Sequence, residues 1–169
     1  DRITIRDLIA QTSGIRDYFD ERFVFMTRAE PGRIWQPEDL VAHAADGDAF
    51  SEPGTDISYD SNTNYVLLGL AIERAGNAPL ALQLQDRIFE PLTMTATRSW
   101  EDVHAPSPVH GYVPQFLTRI DVSDVDLSMA WGAGGLISTA NDVAKMTRGI
   151  FEGTILSRSS RALMTKHFR

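Results

Sequence analysis

The sequence predicts a mainly α fold with long loops and at most a short hairpin, and three observations lead there. Apolar residues recur at helical spacing in several separate segments, capping-box pairs precede two of them, and strand-like alternation is confined to Val109–Val113. A chain of 169 residues, 43% hydrophobic and 23% charged, has the composition of one globular domain. A chain of this size buries roughly 70% of its unfolded surface.

The first helix follows from Thr4, which stands three residues before Asp7 as in a capping box, with Ile5, Leu8 and Ile9 on one face. It should run to about Gln11 and stop at Thr12-Ser13-Gly14, where the glycine suits a left-handed position past a helix end. Residues 17 to 32 are aromatic and charged without a clean period, and read as mixed loop and short helix. Pro37 suits a first helical position, and Leu40, Val41 and Ala44 extend a short stripe toward Gly47.

After the Pro53-Gly54 turn, Ser61 or Asn62 can cap a long helix ending at Gly76. Its apolar positions Tyr65, Val66, Leu68, Leu70, Ala71 and Ile72 cover much of the circumference and predict burial on most sides. A further helix spans Pro79 to Phe89, stopped by Pro91. Between Leu92 and Met129 the helical period disappears, prolines stand at 106, 108 and 114, and the expectation is loop with a short hairpin. Gly132-Ala-Gly-Gly135 forms a tight bend; Thr139 and Asp142 then open a helix through Val143, Met146, Ile150 and Phe151 to Gly153, and Ser157 opens the last helix.

Composition excludes several classes of function. With 16 Lys and Arg against 23 Asp and Glu the net charge is −7, and no basic cluster is present, which argues against nucleic-acid binding. The absence of cysteine removes disulfides and thiol chemistry. The four histidines, His43, His104, His110 and His167, lack ligand spacing, so no metal and no cofactor is expected. Asp121, Asp124 and Asp126 lack the Gly and Glu of a calcium loop and read as an acidic edge, and His110 reads as a surface histidine. No apolar run approaches the roughly 18 residues of a membrane span.

One stretch concentrates polar side chains at a helix start: Tyr59-Asp60-Ser61-Asn62, preceded by Pro53-Gly54 and followed by Asn64-Tyr65-Val66-Leu67-Leu68-Gly69. It resembles the Tyr-x-Asn element of the serine β-lactamase and penicillin-binding protein superfamily, in the branch of class C β-lactamases, D-Ala-D-Ala carboxypeptidases and family VIII esterases. Three further segments resemble that branch in the same order: residues 3 to 14, with Gln11 where His is common, residues 87 to 94, and residues 131 to 142. The wording of two segments looks most like secreted D-Ala-D-Ala carboxypeptidases of the Streptomyces type.

The resemblance implies the helical domain of an α+β hydrolase, with residues 1–169 as a single helix-rich domain. It implies Tyr59 as the catalytic proton shuttle and Asn62, with Ser61 and Trp131, as substrate-binding residues. Trp131 reads equally as a core residue, and Ser61 and Asn62 as caps. In such enzymes the Ser of a Ser-x-x-Lys helix forms an acyl-enzyme with an amide or ester substrate. This chain has no such motif: its lysines, Lys145 and Lys166, are preceded at the third position by Asp142 and Leu163.

Nor does the chain carry Lys-Thr-Gly or His-x-Gly. It is therefore expected to be inactive alone; the resemblance implies the flanking α/β segments and a peptide, β-lactam or ester substrate as partners, and a periplasmic or secreted serine hydrolase, with a non-catalytic binding or scaffold homologue as the alternative. One residue too many lies between Tyr59 and Asn62, so either Tyr59 pairs with Ser61, or Asn62 is in register and Asp60 displaces the Tyr. A bulge would let Tyr59 and Asn62 share the cleft.

Overall fold

The computed structural model describes residues 3–55, 60–100, 110–115, 117–153 and 155–166. Helix α1 (Ile5–Ile9) begins with the expected capping box: Thr4 accepts from the Asp7 N–H, and the Asp7 carboxylate accepts from the Thr4 N–H. Helix α2 (Glu21–Ala29) is capped by Asp20, and α3 (Pro37–Ala45) carries Pro37 in its first turn. Helix α4 (Asn62–Gly76) ends at Asn77 in the left-handed conformation. Helix α5 (Leu80–Leu84) runs directly into a π-helical turn, Gln85–Phe89. Helix α6 (Ala140–Glu152) starts from the Thr139 cap and stops at Gly153, with φ 87°, and α7 (Arg158–Lys166) closes the described chain.

Strands are short and form two antiparallel pairs. β1 (Arg98–Ser99) pairs with β4 (Leu136–Ile137), and β2 (Tyr112–Gln115) pairs with β3 (Thr118–Asp121) with Val113 opposite Ile120. This corrects the mainly α expectation: about half of the described residues are helical, and the rest are short strands and irregular chain. The physical reason lies in the punctuation. Pro and Gly keep long irregular stretches between the helices, and β1–β4 is a long-range pair of two-residue strands that no local alternation announces.

The core gathers where α4 crosses the irregular segments. Tyr18, Phe23, Trp35, Leu40, Ala44, Val66, Leu80, Trp100 and Trp131 form one buried cluster. Phe23 packs edge-on against Tyr18 with centroids 5.1 Å apart and lies 4.6 Å from Trp35, and Trp100 meets Trp131 at 5.5 Å. Tyr18 donates from its hydroxyl to the Met129 carbonyl at 2.9 Å, and the Trp35 N–H donates to Ser128 Oγ at 2.8 Å. Both bonds satisfy polar groups that burial would otherwise leave unpaired.

The face that α4 buries is only partly apolar. Thr63, Asn64, Val66 and Gly69 are buried, whereas Tyr65 and Ile72 are exposed. Small and polar side chains are needed there because large groups approach closely: a methyl on Gly69 would overlap Trp131 Cζ3 and lie 2.9 Å from both Trp131 Cη2 and Leu80 Cδ2. The α6 segment is tied to the chain before β1 by Asp142, whose buried carboxylate accepts from the Ala96 N–H (2.9 Å), the Thr97 hydroxyl (3.1 Å) and Lys145 Nζ (2.8 Å). His110 is exposed and pairs with Asp121 Oδ2 at 2.6 Å. Among the described residues no helix is long and apolar enough to cross a membrane.

Candidate active-site segment

The first turn of α4 is where the candidate residues meet. Its support comes from the end of α1, where the chain turns sharply: Gln11 has φ 59° and Gly14 φ 72°. Glycine adopts such a conformation freely, and a side chain added at Gly14 would overlap the Ser51 carbonyl. Gln11 occupies the left-handed region without that freedom, at a cost of about 1 kcal/mol or more that its contacts must offset.

Those contacts are specific. Gln11 Oε1 accepts from the Ser61 N–H at 3.0 Å and from Asn64 Nδ2 at 2.5 Å, while Asn64 Oδ1 accepts from Ser13 Oγ at 2.5 Å. Next to them Thr63 Oγ1 donates to the Arg16 carbonyl (2.7 Å) and accepts from the Tyr18 N–H (3.0 Å). The same turn of chain also holds the Pro53-Gly54 lead-in, since the Gly54 N–H donates to the Thr12 carbonyl at 2.7 Å and the Phe50 N–H to the Gly14 carbonyl at 2.8 Å. Gly54 is thus tied to Thr12 and Ser61 to Gln11, two consecutive residues.

Of the sequence-predicted site residues, Tyr59 lies outside the described residues. Asp60 is exposed. Ser61 is the N-cap residue of α4, fully buried, and its hydroxyl makes neither a capping bond nor any other hydrogen bond. Asn62 is half-buried and donates from Nδ2 to Asp17 Oδ2 at 2.8 Å, which leaves Oδ1 as an acceptor. Trp131 stands apart: it is buried against Gly69, seven residues further along α4, which is about 10 Å of helix. Its ring forms part of the wall of a cleft of about 180 Å³ shared with Ile34, Trp35, Trp100 and Ser128.

Sequence reasoning did not single out Asp17, Ser13 or Asn64, and it noted Gln11 only as a departure. No local sequence signal marks them, because Gln11, Ser13 and Asp17 reach the start of α4 across 45 to 53 residues. Asp17 also opens onto a polar cleft of about 210 Å³ lined by Arg16, Asp20, Arg22, His43 and Asp46. On its wall His43 Nε2 lies 2.9 Å from Asp20 Oδ1. Burial raises the pull toward the neutral acid at Asp20, but the Phe23 N–H and His43 outweigh it and hold the carboxyl below the usual range. Behind the site, burial and then the Asp17 charge push the Tyr18 phenol far up, so this tyrosine stays protonated. Chemically, the arrangement presents one fixed amide oxygen beside a carboxylate at a helix start, which suits recognition of a substrate N–H.

A family model described as Beta-lactamase matches residues 1–169. The chain belongs to the β-lactamase family. Its backbone is similar to that of a D-stereospecific amidohydrolase from Streptomyces sp., with a TM-score of 0.87 and 32% identity over 97% of this chain and 51% of the other. It is also similar to the D-amino acid amidase from Ochrobactrum anthropi SV3, solved with D-phenylalanine, with a TM-score of 0.77, 26% identity, and coverage of 95% and 47%. Among curated proteins, PbpX of Bacillus subtilis (strain 168), named as a penicillin-binding protein, is 26% identical over 159 residues, which are 94% of this chain and 38% of PbpX. The chain therefore spans well under two thirds of the length of each.

Proposed function

We propose that this chain is the helical part of a serine hydrolase that works through an acyl-enzyme on an amide bond next to a D-configured residue, as a D-Ala-D-Ala carboxypeptidase-like enzyme. The observation that carries the reading is the likeness to the D-stereospecific amidohydrolase, at 32% identity across 97% of this chain. The resemblance of residues 53 to 69 to the Tyr-x-Asn element supports it. Esterase and β-lactamase activity are the neighbouring readings of the same chemistry.

In this reading Tyr59 carries a proton between nucleophile and leaving group. A phenol with a pKa of about 10 needs a neighbouring cation to act as a base at neutral pH, and the Lys of a Ser-x-x-Lys element outside this chain supplies it. Asn62 Oδ1 accepts the substrate amide N–H while its Nδ2 is held by Asp17. Ser61 and Trp131, both buried, act from behind the substrate surface, as support rather than as ligands. The chain alone is inactive, because it has no Ser-x-x-Lys. The flanking segments and the substrate are its partners, and the protein works outside the cytoplasm.

The test uses the intact protein. A fluorescent penicillin should label it covalently, labelling should drop sharply in Tyr59→Phe, and a D-amino acid amide should be hydrolysed faster than its L enantiomer. Absence of labelling together with absence of amide hydrolysis refutes the reading.

A further inference from the structure

We propose that Gln11 is the positioning residue of this site, clamping the start of α4 so that Ser61 and Asn64 hold fixed positions. The inference rests on the proposed function for its catalytic consequence, and on geometry alone for the clamp. Three observations converge. First, Gln11 is held at φ 59°, a conformation that disfavours any residue with a side chain. Second, its one carbonyl oxygen takes two donors, the Ser61 backbone N–H and the Asn64 side chain, across 50 and 53 residues of sequence. An unpaired N–H at a helix start is what a capping side chain normally satisfies; here the Ser61 hydroxyl makes no capping bond and a side chain from another helix end takes hold of the turn instead.

Third, the geometry carries an uncompensated penalty: Gln11 Nε2 and Ser61 Oγ are both buried without a hydrogen-bond partner. Orphaned buried polar groups cost stability. The Thr12 carbonyl, one residue on, holds Gly54 at 2.7 Å, so the same turn of chain anchors both sides of residues 55 to 60.

The opposite end of α4 supplies the control. Gln83 is also buried, donates from Nε2 to the Ile72 carbonyl (3.0 Å) and the Ala78 carbonyl (2.8 Å), and has an unpartnered Oε1. It is a buried amide on α5, bonded to the C-terminal end of α4 and remote from the motif. In the intact protein, Gln11→Met and Gln83→Met should both lower the thermal midpoint. Only Gln11→Met should slow penicillin acylation, by about tenfold or more, since a misplacement of about 1 Å at a reacting centre can cost on the order of 100-fold.

Gln11→Glu keeps an acceptor for both donors and deletes the orphaned N–H, so it should restore acylation to within a few-fold of the parent. Hydrogen exchange gives a readout independent of activity: amides of residues 60 to 66 should exchange faster in Gln11→Met, and those of 70 to 78 should not. Equal acylation in the two Met variants, no recovery in Gln11→Glu, or exchange spread evenly along α4 overturns the proposal. If the parent protein is neither acylated nor able to hydrolyse a D-amino acid amide, the proposed function falls, and the exchange pattern alone decides the clamp.

Discussion

Gly69→Ala sets two known effects against each other in α4. In an open helix interior the change would stabilise by about 1 kcal/mol, because alanine loses less backbone entropy than glycine. Here the added methyl overlaps Trp131 Cζ3 and lies 2.9 Å from Trp131 Cη2 and Leu80 Cδ2, well inside the roughly 3.5–4.0 Å of good carbon contact. The indole cannot yield easily. It is 5% exposed, it packs on Trp100 at 5.5 Å, and its own backbone has φ 39°.

Overpacking of this kind costs typically about 1–3 kcal/mol, and two stiff neighbours place the site toward the upper end of that range. Subtracting the propensity gain leaves a net loss of about 1–2 kcal/mol. Urea unfolding of the intact protein, followed by tryptophan fluorescence, should show a lower midpoint at unchanged slope. Adding Trp131→Leu should recover part of the loss, with non-additivity that identifies the contact. A midpoint equal to or above the parent's would refute the steric account and show that the tryptophan moves freely.

Other expectations follow from single contacts. Tyr18→Phe removes the donor to the Met129 carbonyl and should cost about 1–2 kcal/mol in the same assay, with acylation unchanged. Asp20→Ala removes the cap of α2 and should cost about 1 kcal/mol. Asp142 has its carboxyl held below the usual range, first by the hydrogen bond from Lys145, then by the Ala96 N–H and Thr97 hydroxyl against the opposing pull of burial. A lowered folded pKa means that its contribution is present above the unfolded value near pH 4 and is lost as pH falls through the folded value, so Asp142→Asn should flatten the acid limb of a stability–pH curve. Asp121, lowered to about 2 mainly by Ser123, is exposed on β3, and Asp121→Asn should leave the midpoint at neutral pH nearly unchanged.

What the sequence made legible is local. The Thr4 and Thr139 caps, the bounds of α4 and the stop at Gly153 rest on interactions within a few residues, and the structure has them where that logic puts them. Helix α2 was harder because its period is blurred: Phe23 is fully buried while Phe25, two residues on, is 73% exposed. The burial of α4 was misread because a face made of Thr63, Asn64 and Gly69 scores as polar although aromatic groups seat on it. β1–β4 pairs residues that no short window contains. At the site, a turn leading into a helix was readable around Ser61 and Asn62, but Gln11 and Asp17 reach it through the fold, from about 45 to 50 residues away.

The bond from Tyr18 to Met129, 111 residues apart, and the seat of Trp131 on Gly69 have a consequence for biogenesis. Until the segment around residues 129 to 131 has been synthesised, the faces of Tyr18, Val66 and Leu80 that it covers stay uncovered, and non-local closure of this kind is slow. A nascent chain paused short of that point would display an aromatic surface attractive to chaperones and to other unfinished copies. Production of the protein should therefore be more sensitive to translation speed across residues 100 to 131 than across the helices before it.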